Sequence, residues 1–528
     1  MNIHYSEDLV KTVNELYEKG ETDYYLPPVV TKSGAGESKG RIKKEDSVVF
    51  CCRRGDREYQ LARALSDPNF EKFSAEATKS IYLVTFTEYH VELKQANPLF
   101  DRKPLTGTFG EIIADADLKQ VRLAESEKFN HVTYFFNGYR PEPFPGENRL
   151  SVKSPEGIKP YEKPELSAPE VGDRAISILK DDRYSFFLVN FANGDVVGHF
   201  PGRDPQLACA EALDEQLGRV IEIAKQKGYY TVITADHGLF EVLEDSTGKP
   251  SVGHTKNPVP FILVPPSAIK EDKVTLKPGI LANIAPTLLD LMDLNRAKEM
   301  DRNSLIHNSE KLPRAKKLFL IIMDGWGLGD KNEQNPIYAA KTPNFDRIIS
   351  NYPRTHLEAS GESVGLLSSS AGNSEAGHTN IAAGRIVAQD EKRINAAIED
   401  RSLEEKPELK NAFDKVKKSG ANLHLLGLLS NRSSHGRTKY VEATIDAALN
   451  SGLPKEKIFV HFFTDGRSTE PGSVPRHLDQ FRSNFEEGNS PSIVTLIGRG
   501  LALDRDRDWT GKTKVAYEAL TRSGGKLD

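Results

Sequence analysis

Residues 368–385 read SSSAGNSEAGHTNIAAGR and present Ser374 among small residues, namely Gly372, Asn373 and Gly377. Small residues suit a turn where backbone or ligand must approach closely. The loop is therefore typical of one that presents a single hydroxyl. Because a serine hydroxyl is a poor nucleophile until another group activates it, a catalytic role for Ser374 requires an activator elsewhere in the chain.

Six aspartate and histidine residues lie where apolar runs end or begin. Asp324 follows LFLIIM, Asp236 and His237 follow YYTVITA, Asp195 and His199 follow LVNFAN, and His254 precedes PFILV. Ligands of open α/β sheets bind beyond the carboxyl ends of strands. A lone Asp-Gly is usually a turn, but the joint set predicts a cradle for divalent metal ions.

Two such ions could activate the hydroxyl of Ser374. Mixed carboxylate and imidazole ligands fit manganese or zinc better than calcium. One ion can bind the serine oxygen and favour its alkoxide, while both stabilise charge on a transferring phosphoryl group. A base of the Ser-His-Asp type is then not needed.

A second set of residues is basic. A single arginine is usually solvated surface, but arginines just past buried strands can clamp phosphate and carboxylate groups in bidentate fashion. The set predicts a small phosphorylated acid as substrate. Its members are Arg54 and Arg57 after SVVFCC, Arg467 after KIFVHFFTDG, Arg499 after SIVTLIG, Arg505 in DRDRDW, His435 in GLLSNRSSH and Lys128 in AESEKFNH.

Continuous apolar runs must position these residues. Runs of this kind, without polar alternation, favour parallel strands that are covered on both faces. Amphipathic stretches lie between them, such as 204–227, so we expect an α/β fold with doubly wound sheets. The predicted strands are 47–52, 81–86, 184–192, 229–235, 318–323, 423–429, 457–463 and 492–498.

The composition excludes several other classes of protein. A net charge of −5 over 528 residues, with both signs mixed, argues against a nucleic-acid surface. No apolar run reaches the roughly 18 residues of a membrane span, and no signal peptide is visible. Cys51 and Cys52 are interpreted as small buried hydrophobes. We therefore expect a cytoplasmic protein in a reducing compartment, acting as a monomer.

The motifs taken together resemble cofactor-independent phosphoglycerate mutase, a family of the alkaline phosphatase superfamily. The resemblance extends over nearly the whole chain. It rests on DGWG, GNSEAGHTNIAAGR, TEYH, ESEKFNHVTYFFNG, GENRLSVKSP, NFANGDVVGH, TADHG and GHTKNPVPFILV. It implies an isomerase of glycolysis that interconverts 3-phosphoglycerate and 2-phosphoglycerate with two divalent ions, manganese favoured.

The resemblance also implies a role for each matching residue. Ser374 would be the nucleophile that becomes phosphorylated. One manganese ion would be held by Asp195, His199 and His254, and the other by Asp324, Asp236, His237 and Ser374. The substrate-binding positions would be His435, Arg467, Ser468, Arg499, Arg505, Arg54, Arg57 and Lys128.

The order of the motifs differs from the family pattern. In the family the DGWG strand opens the chain, whereas here it begins near residue 317. The sequence is therefore interpreted as circularly permuted, with the family's chain ends joined through 306–317. A continuous metal-binding domain of the alkaline phosphatase type would then span 103–388. The phosphotransferase domain would combine 1–102 with 389–528.

The substrate half departs from the family in its residues as well. Asn431-Arg432-Ser433-Ser434-His435 stands where the family has Asp-Gly-Gly-Val-His, and Ser468 stands where it has an aspartate. These changes leave two alternatives to a mutase. One is a metal-dependent phosphatase or other phosphomutase on the same scaffold, and the other is a non-catalytic protein that binds phosphorylated metabolites.

Overall fold

The structure is a computed structural model that describes residues 2–32, 38–75, 80–181, 183–245, 247–267, 274–307, 312–486 and 490–522. The chain divides into two compact units. We call Met1–Arg102 with Arg393–Asp528 the split unit, and Lys103–Lys392 the continuous unit. Each contains an eight-stranded sheet with helices, which confirms the expected α/β fold. The expected join at 306–317 lies partly outside the described residues.

The strands are numbered in chain order. The first segment of the split unit contributes β1 (His4–Ser6), β2 (Val29–Thr31), β3 (Ser47–Phe50), β4 (Tyr82–Thr87) and β5 (Asn97–Phe100). The continuous unit contributes β6 (Gln120–Glu125), β7 (Glu147–Val152), β8 (Phe186–Phe191), β9 (Tyr230–Thr234), β10 (Val259–Val264), β11 (Gly279–Ile280), β12 (Leu318–Met323) and β13 (Arg354–Glu358). The last segment contributes β14 (Leu423–Leu429), β15 (Ile458–Thr464) and β16 (Ser492–Gly498).

The α-helices are numbered in the same way. The first are α1 (Leu9–Glu18), α2 (Gly55–Ser66), α3 (Phe109–Asp115), α4 (Ala168–Asp181), α5 (Asn193–Gly198), α6 (Arg203–Gln226), α7 (Ile284–Met292) and α8 (Pro336–Ala339). They are followed by α9 (Pro343–Asn351), α10 (Ser374–Ala383), α11 (Asp390–Glu399), α12 (Pro407–Ser419), α13 (Thr438–Asn450), α14 (Val474–Ser483), α15 (Arg499–Ala502) and α16 (Lys514–Thr521).

The sheet of the continuous unit has the order β11-β13-β10-β9-β12-β8-β6-β7. Strands β9, β12, β8, β6 and β7 are parallel, whereas β10 runs antiparallel to β9. Central strand β12, LFLIIM, is buried along its whole length, as an apolar run between two helical layers must be. The carboxyl ends of β9, β12 and β8 therefore meet at one edge of the sheet.

The sheet of the split unit has the order β1-β2-β16-β15-β14-β3-β4-β5. The strands from β16 to β5 are parallel, and β2 pairs with β16 in the antiparallel direction. Two separate apolar clusters cover its faces, because side chains alternate along a strand. Val49 belongs to one cluster, and its neighbours Val48 and Phe50 belong to the other.

The eight predicted strands are all present, as β3, β4, β8, β9, β12, β14, β15 and β16. Cys51 and Cys52 lie just past β3, where both are buried free thiols, in agreement with their interpretation as small hydrophobes. The second boundary between the units lies within α11, between Lys392 and Arg393, rather than at 388/389. Across the described residues, every helix is too short or too polar to cross a bilayer.

Candidate metal centre and basic cluster

Three aspartates lie at the edge where parallel strands β9, β12 and β8 end. Asp324 directly follows β12, Asp236 lies two residues after the end of β9, and Asp195 lies in α5 just after β8. Asp236 and Asp324 have no exposed surface, and Asp195 is only 7% exposed. Three carboxylates this deeply buried require compensating cations, because an unpaired buried charge is costly.

Ser374 begins α10 beside these carboxylates. Its Oγ donates to Asp324 Oδ1 at 3.2 Å and lies 3.0 Å from His237 Nε2. Asn373 caps the helix by accepting from the amide of Ala376 at 2.8 Å. A helix N-terminus with free amides favours negative charge, so the hydroxyl occupies a position suited to a phosphoryl group.

The glycines around Ser374 are required by close packing. A Cβ on Gly377 would lie 2.7 Å from the Cβ of Asp236, and one on Gly372 would lie 2.9 Å from the Cβ of His237. Both distances are shorter than non-bonded carbon atoms tolerate. The small residues of the loop therefore let Ser374 approach Asp236 and His237, as the sequence indicates.

Asp195, His199 and His254 form the first predicted ligand set, and the structure brings them together. The Oδ1 atom of Asp195 is 3.1 Å from His254 Nε2 and 3.3 Å from His199 Nε2. The two Nε2 atoms are 3.2 Å apart. All three donor atoms can therefore reach a single ion.

The hydrogen bonds of the two imidazoles support a cation at this position. His254 Nδ1 lies 2.8 Å from the carbonyl of Gly372, and His199 Nδ1 lies 2.9 Å from that of Val252. A carbonyl can only accept, so each Nδ1 carries a hydrogen, and in the neutral form of each ring Nε2 presents a lone pair. Two lone pairs facing one another repel unless a cation lies between them.

The second predicted set, Asp324, Asp236, His237 and Ser374, also converges. His237 Nε2 lies 3.4 Å from Asp236 Oδ2 and 3.5 Å from Asp324 Oδ1. It is also 3.6 Å from Asp195 Oδ1, and its ring stacks on that of His254 at 4.0 Å. His237 thus lies between the two carboxylate groups and can contribute to either ion.

Two buried carboxylate oxygens complete the argument for metal. Asp195 Oδ1 and Asp236 Oδ2 have no hydrogen-bond donor within the described residues. Buried polar atoms are almost always satisfied, so these oxygens are suited to coordinate a cation. The oxygen and imidazole donors fit a divalent ion of the manganese or zinc type.

Lys128 lies inside this cluster, although the sequence predicts a substrate-binding role. It follows β6, and its Nζ donates to Asp195 Oδ2 at 2.6 Å, Asp324 Oδ1 at 2.8 Å and Ser374 Oγ at 2.9 Å. Burial alone would lower its pKa, but the adjacent carboxylates hold that pKa above its ordinary value. Lys128 is thus a cation in direct contact with the serine hydroxyl.

The charges of the cluster stabilise one another. Burial would raise the pKa of Asp195, yet the adjacent Lys128 ammonium holds it well below its ordinary value. Burial would lower the pKa of His237, but the carboxylates, Asp236 foremost, raise it to about 9. Positive charge is therefore strongly favoured at this site.

His378 is a member of the site that the sequence analysis missed. It is fully buried in α10, one turn after Ser374, and its Nδ1 donates to the carbonyl of Ser374 at 2.9 Å. Its Nε2 lies 3.0 Å from Asn190 Nδ2, which also donates to Asp324 Oδ2 at 2.8 Å. His378 therefore supports the serine and the carboxylate. Its Nδ1 also lies 3.4 Å from Asp236 Oδ2, and with Asp236 and Asp324 it forms a group that could hold a metal ion.

The predicted substrate residues of the split unit are only partly brought together. Arg499 is buried and forms an ion pair with the buried Asp465. The same guanidinium donates to Ser433 Oγ at 3.3 Å, and Ser430 Oγ donates to Asp465 Oδ2 at 2.9 Å. Arg499 is therefore held rigidly after β16.

The remaining basic residues differ in their burial. Arg57 in α2 is buried and donates to the carbonyl of Leu503 at 3.2 Å. Arg54 is half-exposed and pairs with Asp56 at 3.3 Å. Arg467 and Arg505 are exposed and form no ion pair with any residue in the described ranges. The arginines thus include both buried, hydrogen-bonded side chains and exposed ones.

His435 and Ser468 lie in loops of the split unit. His435 is buried, and its Nδ1 is 3.1 Å from Oε1 of Glu58, a residue that the sequence analysis did not single out. Ser468 is half-buried, and its amide donates to Asp465 Oδ2 at 3.2 Å. The roles of these residues remain predictions.

Comparison with protein families gives two matches. Residues 60–296 match the model of the metalloenzyme superfamily. Residues 2–91 and 394–528 match that of the BPG-independent PGAM N-terminus, where PGAM denotes phosphoglycerate mutase. Each of the two matches covers somewhat under half of the chain.

Relatives of known name agree with these matches. The chain is 40% identical over 306 residues to a 2,3-bisphosphoglycerate-independent phosphoglycerate mutase of Symbiobacterium thermophilum, which covers 57% of this chain and 58% of the relative. It is 41% identical to the enzyme of that name from Clostridium botulinum, covering 56% and 57%. The chain thus spans somewhat over half the length of the curated relatives it matches.

A solved structure is also similar to the chain. It is a phosphoglycerate mutase of Leishmania mexicana at low cobalt concentration, 26% identical, with a TM-score of 0.44. The match covers 58% of this chain and 59% of that one.

Proposed function

We propose that the chain is a metal-dependent phosphoglycerate mutase that interconverts 3-phosphoglycerate and 2-phosphoglycerate through a phosphoserine at Ser374. The observation that carries this proposal is the position of Ser374 Oγ, within 3.2 Å of Lys128, His237 and Asp324 at the start of α10. The names of the relatives support the choice of substrate.

Two divalent ions, with manganese favoured, would lower the charge on the phosphoryl oxygens and favour the Ser374 alkoxide when bound. One would be held by Asp195, His199 and His254, and the other by Asp324, Asp236, His237 and Ser374. The short distances within each set support this division. The facing lone pairs of His199 and His254 make the first set the better supported one.

The side chains around Ser374 have separate tasks in this mechanism. Ser374 Oγ forms the bond to phosphorus as the bond to the glycerate oxygen breaks. Lys128 Nζ, 2.9 Å from Oγ, stabilises negative charge on the oxygens of the reacting group. The amides of the first turn of α10 act in the same sense, and Asn373 and His378 keep that turn in place.

The substrate acid would be bound by basic residues of the split unit, which we propose as the phosphotransferase domain. Guanidinium groups bind carboxylate and phosphate in bidentate fashion and remain charged at all relevant pH values. The proposed residues are His435, Arg467, Ser468, Arg499, Arg505, Arg54 and Arg57, with Lys128 from the continuous unit. The continuous unit would be the metal-binding domain of the alkaline phosphatase type.

We further propose that the chain is a circular permutation of the family order. The family model for one domain matches two segments, 2–91 and 394–528, on either side of the continuous unit, which supports this view. Strand β14 pairs directly with β3, so the two segments build one sheet. A reordered chain that runs from residue 312 to 528 and then from 2 to 307 should fold and keep the activity of the original.

The same proposal includes the setting of the enzyme. We expect a cytoplasmic monomer, and the three free, buried cysteines are consistent with a reducing compartment. Gel filtration with light scattering would measure the oligomeric state. A dimer would contradict this part of the proposal and leave the catalytic assignment untouched.

The decisive experiment is a pair of coupled assays, one starting from each phosphoglycerate, with free phosphate measured in parallel. A mutase converts each isomer into the other and releases little phosphate. Phosphate release without isomerisation would instead show a phosphatase. Binding of either isomer without turnover, in the presence of manganese, would show a non-catalytic binding protein.

A further inference from the structure

Glu58 is the most deeply buried carboxyl of the split unit that the proposed mechanism does not use. It lies in α2 with no exposed surface. Its Oε1 and Oε2 atoms are 3.1 Å and 3.3 Å from His435 Nδ1. Among the described residues, no other side chain forms a hydrogen bond with Glu58. The two side chains therefore form a buried pair that depends on a shared hydrogen.

Other charged groups surround the pair without bonding to Glu58. The Asp56 carboxylate, partly exposed, is 3.9 Å from His435 Nδ1 and is itself paired with Arg54. The guanidinium groups of Arg54, Arg57 and Arg499 act on the imidazole from the surrounding elements. The buried Cys52 thiol adds no formal charge, because burial raises its pKa.

Burial determines where the protons of the pair reside. It raises the pKa of Glu58 well above its usual range, and it lowers that of His435 to about 3. A neutral Glu58 hydroxyl has one described side-chain acceptor, the Nδ1 of His435, which leaves the imidazole hydrogen on Nε2. If the proton moves to Nδ1 instead, Nε2 still carries its hydrogen. Both arrangements therefore make Nε2 a donor.

We propose that Glu58 is a positioning residue that makes His435 a reversible proton donor to the substrate, taking the place of the carboxylate that the family has at position 468. This inference rests on the proposed mutase function. Ser468 lacks a group that could exchange protons at neutral pH. The pair supplies one within the same unit, on α2 and the loop after β14.

The proton balance of the mutase reaction closes with this pair. Ser374 Oγ enters and leaves the reaction as the alkoxide, so its own hydrogen takes no part in this balance. When Oγ bonds to phosphorus and the bond to the glycerate oxygen breaks, that oxygen takes the hydrogen from His435 Nε2, and Nδ1 takes the hydrogen from Glu58. When the second glycerate hydroxyl bonds to phosphorus and the bond to Oγ breaks, its hydrogen goes to Nε2. Nδ1 then returns its hydrogen to Glu58, and no proton is gained or lost.

Ring-¹⁵N NMR of histidine-labelled protein tests the placement of the hydrogen directly. The spectrum of His435, assigned with a His435→Asn variant, should show a protonated Nε2 in the metal-loaded protein near neutral pH. An unprotonated Nε2 would overturn the proposal. A ¹⁵N shift of this ring on addition of diamagnetic zinc, of the size that direct coordination produces, would also overturn it, because it would mean that Asp56, Glu58 and His435 bind metal instead.

Kinetics with 3-phosphoglycerate test the function of the pair. Glu58→Gln retains the size of the side chain but cannot pass on a proton, so kcat should fall about 100-fold with KM changed less than about 3-fold. Glu58→Asp keeps a carboxyl, so its kcat should be about tenfold higher than that of Glu58→Gln. The matched control is Glu518→Gln, a buried helical glutamate of the same unit that pairs with Arg522.

The outcomes separate this inference from the proposed function. A wild-type protein without mutase activity would contradict the proposed function, and the NMR result would then decide the state of the pair by itself. If the wild type is active and Glu58→Gln has the same kcat, only the proposed role of the Glu58–His435 pair is overturned.

Circular dichroism and thermal melting of each variant show whether the fold is retained. If Glu58→Gln does not fold, a Glu58→Asp variant with kcat about tenfold below that of the wild type and little change in KM would count for the proposal, and one with wild-type kcat would count against it.

Discussion

The predicted metal ligands of the continuous unit form one interlocked cluster, whereas the predicted substrate residues of the split unit are divided between fixed and exposed side chains. Asp324 accepts from Lys128, Ser374 and Asn190 at once. In the split unit Arg499 is fixed by Asp465, but Arg467 is exposed. The metal-ligand cluster of the first unit is therefore largely pre-organised, while we expect the exposed side chains of the second to be ordered by the proposed substrate.

The largest effect is expected from the centre of the interlocked cluster. Ser374→Ala removes the proposed nucleophile, so kcat should fall at least about 10⁴-fold, as loss of a covalent nucleophile commonly does. Metal content should stay near that of the wild type, because the remaining ligands are unchanged. Ser369→Ala, an exposed serine of the same loop, is the matched control.

Peptide mapping sharpens this prediction. After reaction with substrate and acid quenching, mass spectrometry should find the phosphoryl group on the peptide that contains Ser374. A phosphorylated residue elsewhere, or near-normal turnover of Ser374→Ala, would reject the assigned nucleophile. The buried cluster around Ser374 in the continuous unit would then not be the site of phosphoryl transfer.

Removal of metal is the next largest effect. Exhaustive chelation should lower activity about 10³-fold, because metal ions contribute several kcal/mol to stabilising the transferring phosphoryl group. Added manganese should restore it, and elemental analysis should find two ions per chain. Asp195→Asn should lose one ion, whereas Asp173→Asn, an exposed residue paired with Arg219, should keep both. Full activity in metal-free protein would refute the two-ion site.

The contrast between the units also explains what the sequence could predict. The ligand cluster could be predicted from one rule, since Asp236 and Asp324 come within two residues of the ends of apolar strands whose carboxyl ends share an edge. His378 escapes the rule because it lies one helical turn into α10, where its orientation depends on how the helix packs. Its spacing of four residues from Ser374 is the one signal that could have indicated it.

Glu58 was missed for a different physical reason. In RRGDRE it belongs to a run of charged residues, which in a sequence is typical of a solvated helix face. The fold buries this one carboxyl completely against His435, and burial is a property of tertiary packing alone. Lys128 was recognised as functional, but its place among the metal ligands depends on how β6 lies beside β8 and β12.

The buried and exposed arginines of the split unit should differ in their effect on stability. Asp465→Asn leaves the Arg499 guanidinium buried without its counter-charge, which should cost about 3–5 kcal/mol. Arg467→Ala should change stability by less than about 0.5 kcal/mol, because its side chain is exposed. Thermal melting in the absence of substrate measures both.

Arg467 should be more important for substrate binding than for stability. Its loss should raise KM for 3-phosphoglycerate with little change in melting temperature. An Arg467→Ala protein that melts much earlier than the wild type, or an Asp465→Asn protein of full stability, would show that the division into fixed and exposed residues is wrong.

The smallest effect is expected at Ser468, where the split unit lacks the family's carboxylate. Ser468→Asp restores a group that can exchange protons beside Arg467, so kcat for 3-phosphoglycerate should rise about 3-fold, well short of what general acid–base catalysis can supply. The gain is limited because the Glu58–His435 pair already performs this task. In a Glu58→Gln background the same substitution should therefore raise kcat by about tenfold.

The control is Ser483→Asp, which adds the same charge at an exposed position of α14 and should have no effect in either background. Steady-state kinetics at matched metal occupancy measure all six proteins, namely each background alone and with either added aspartate. Equal gains in both backgrounds would show that Ser468 and Glu58 act independently.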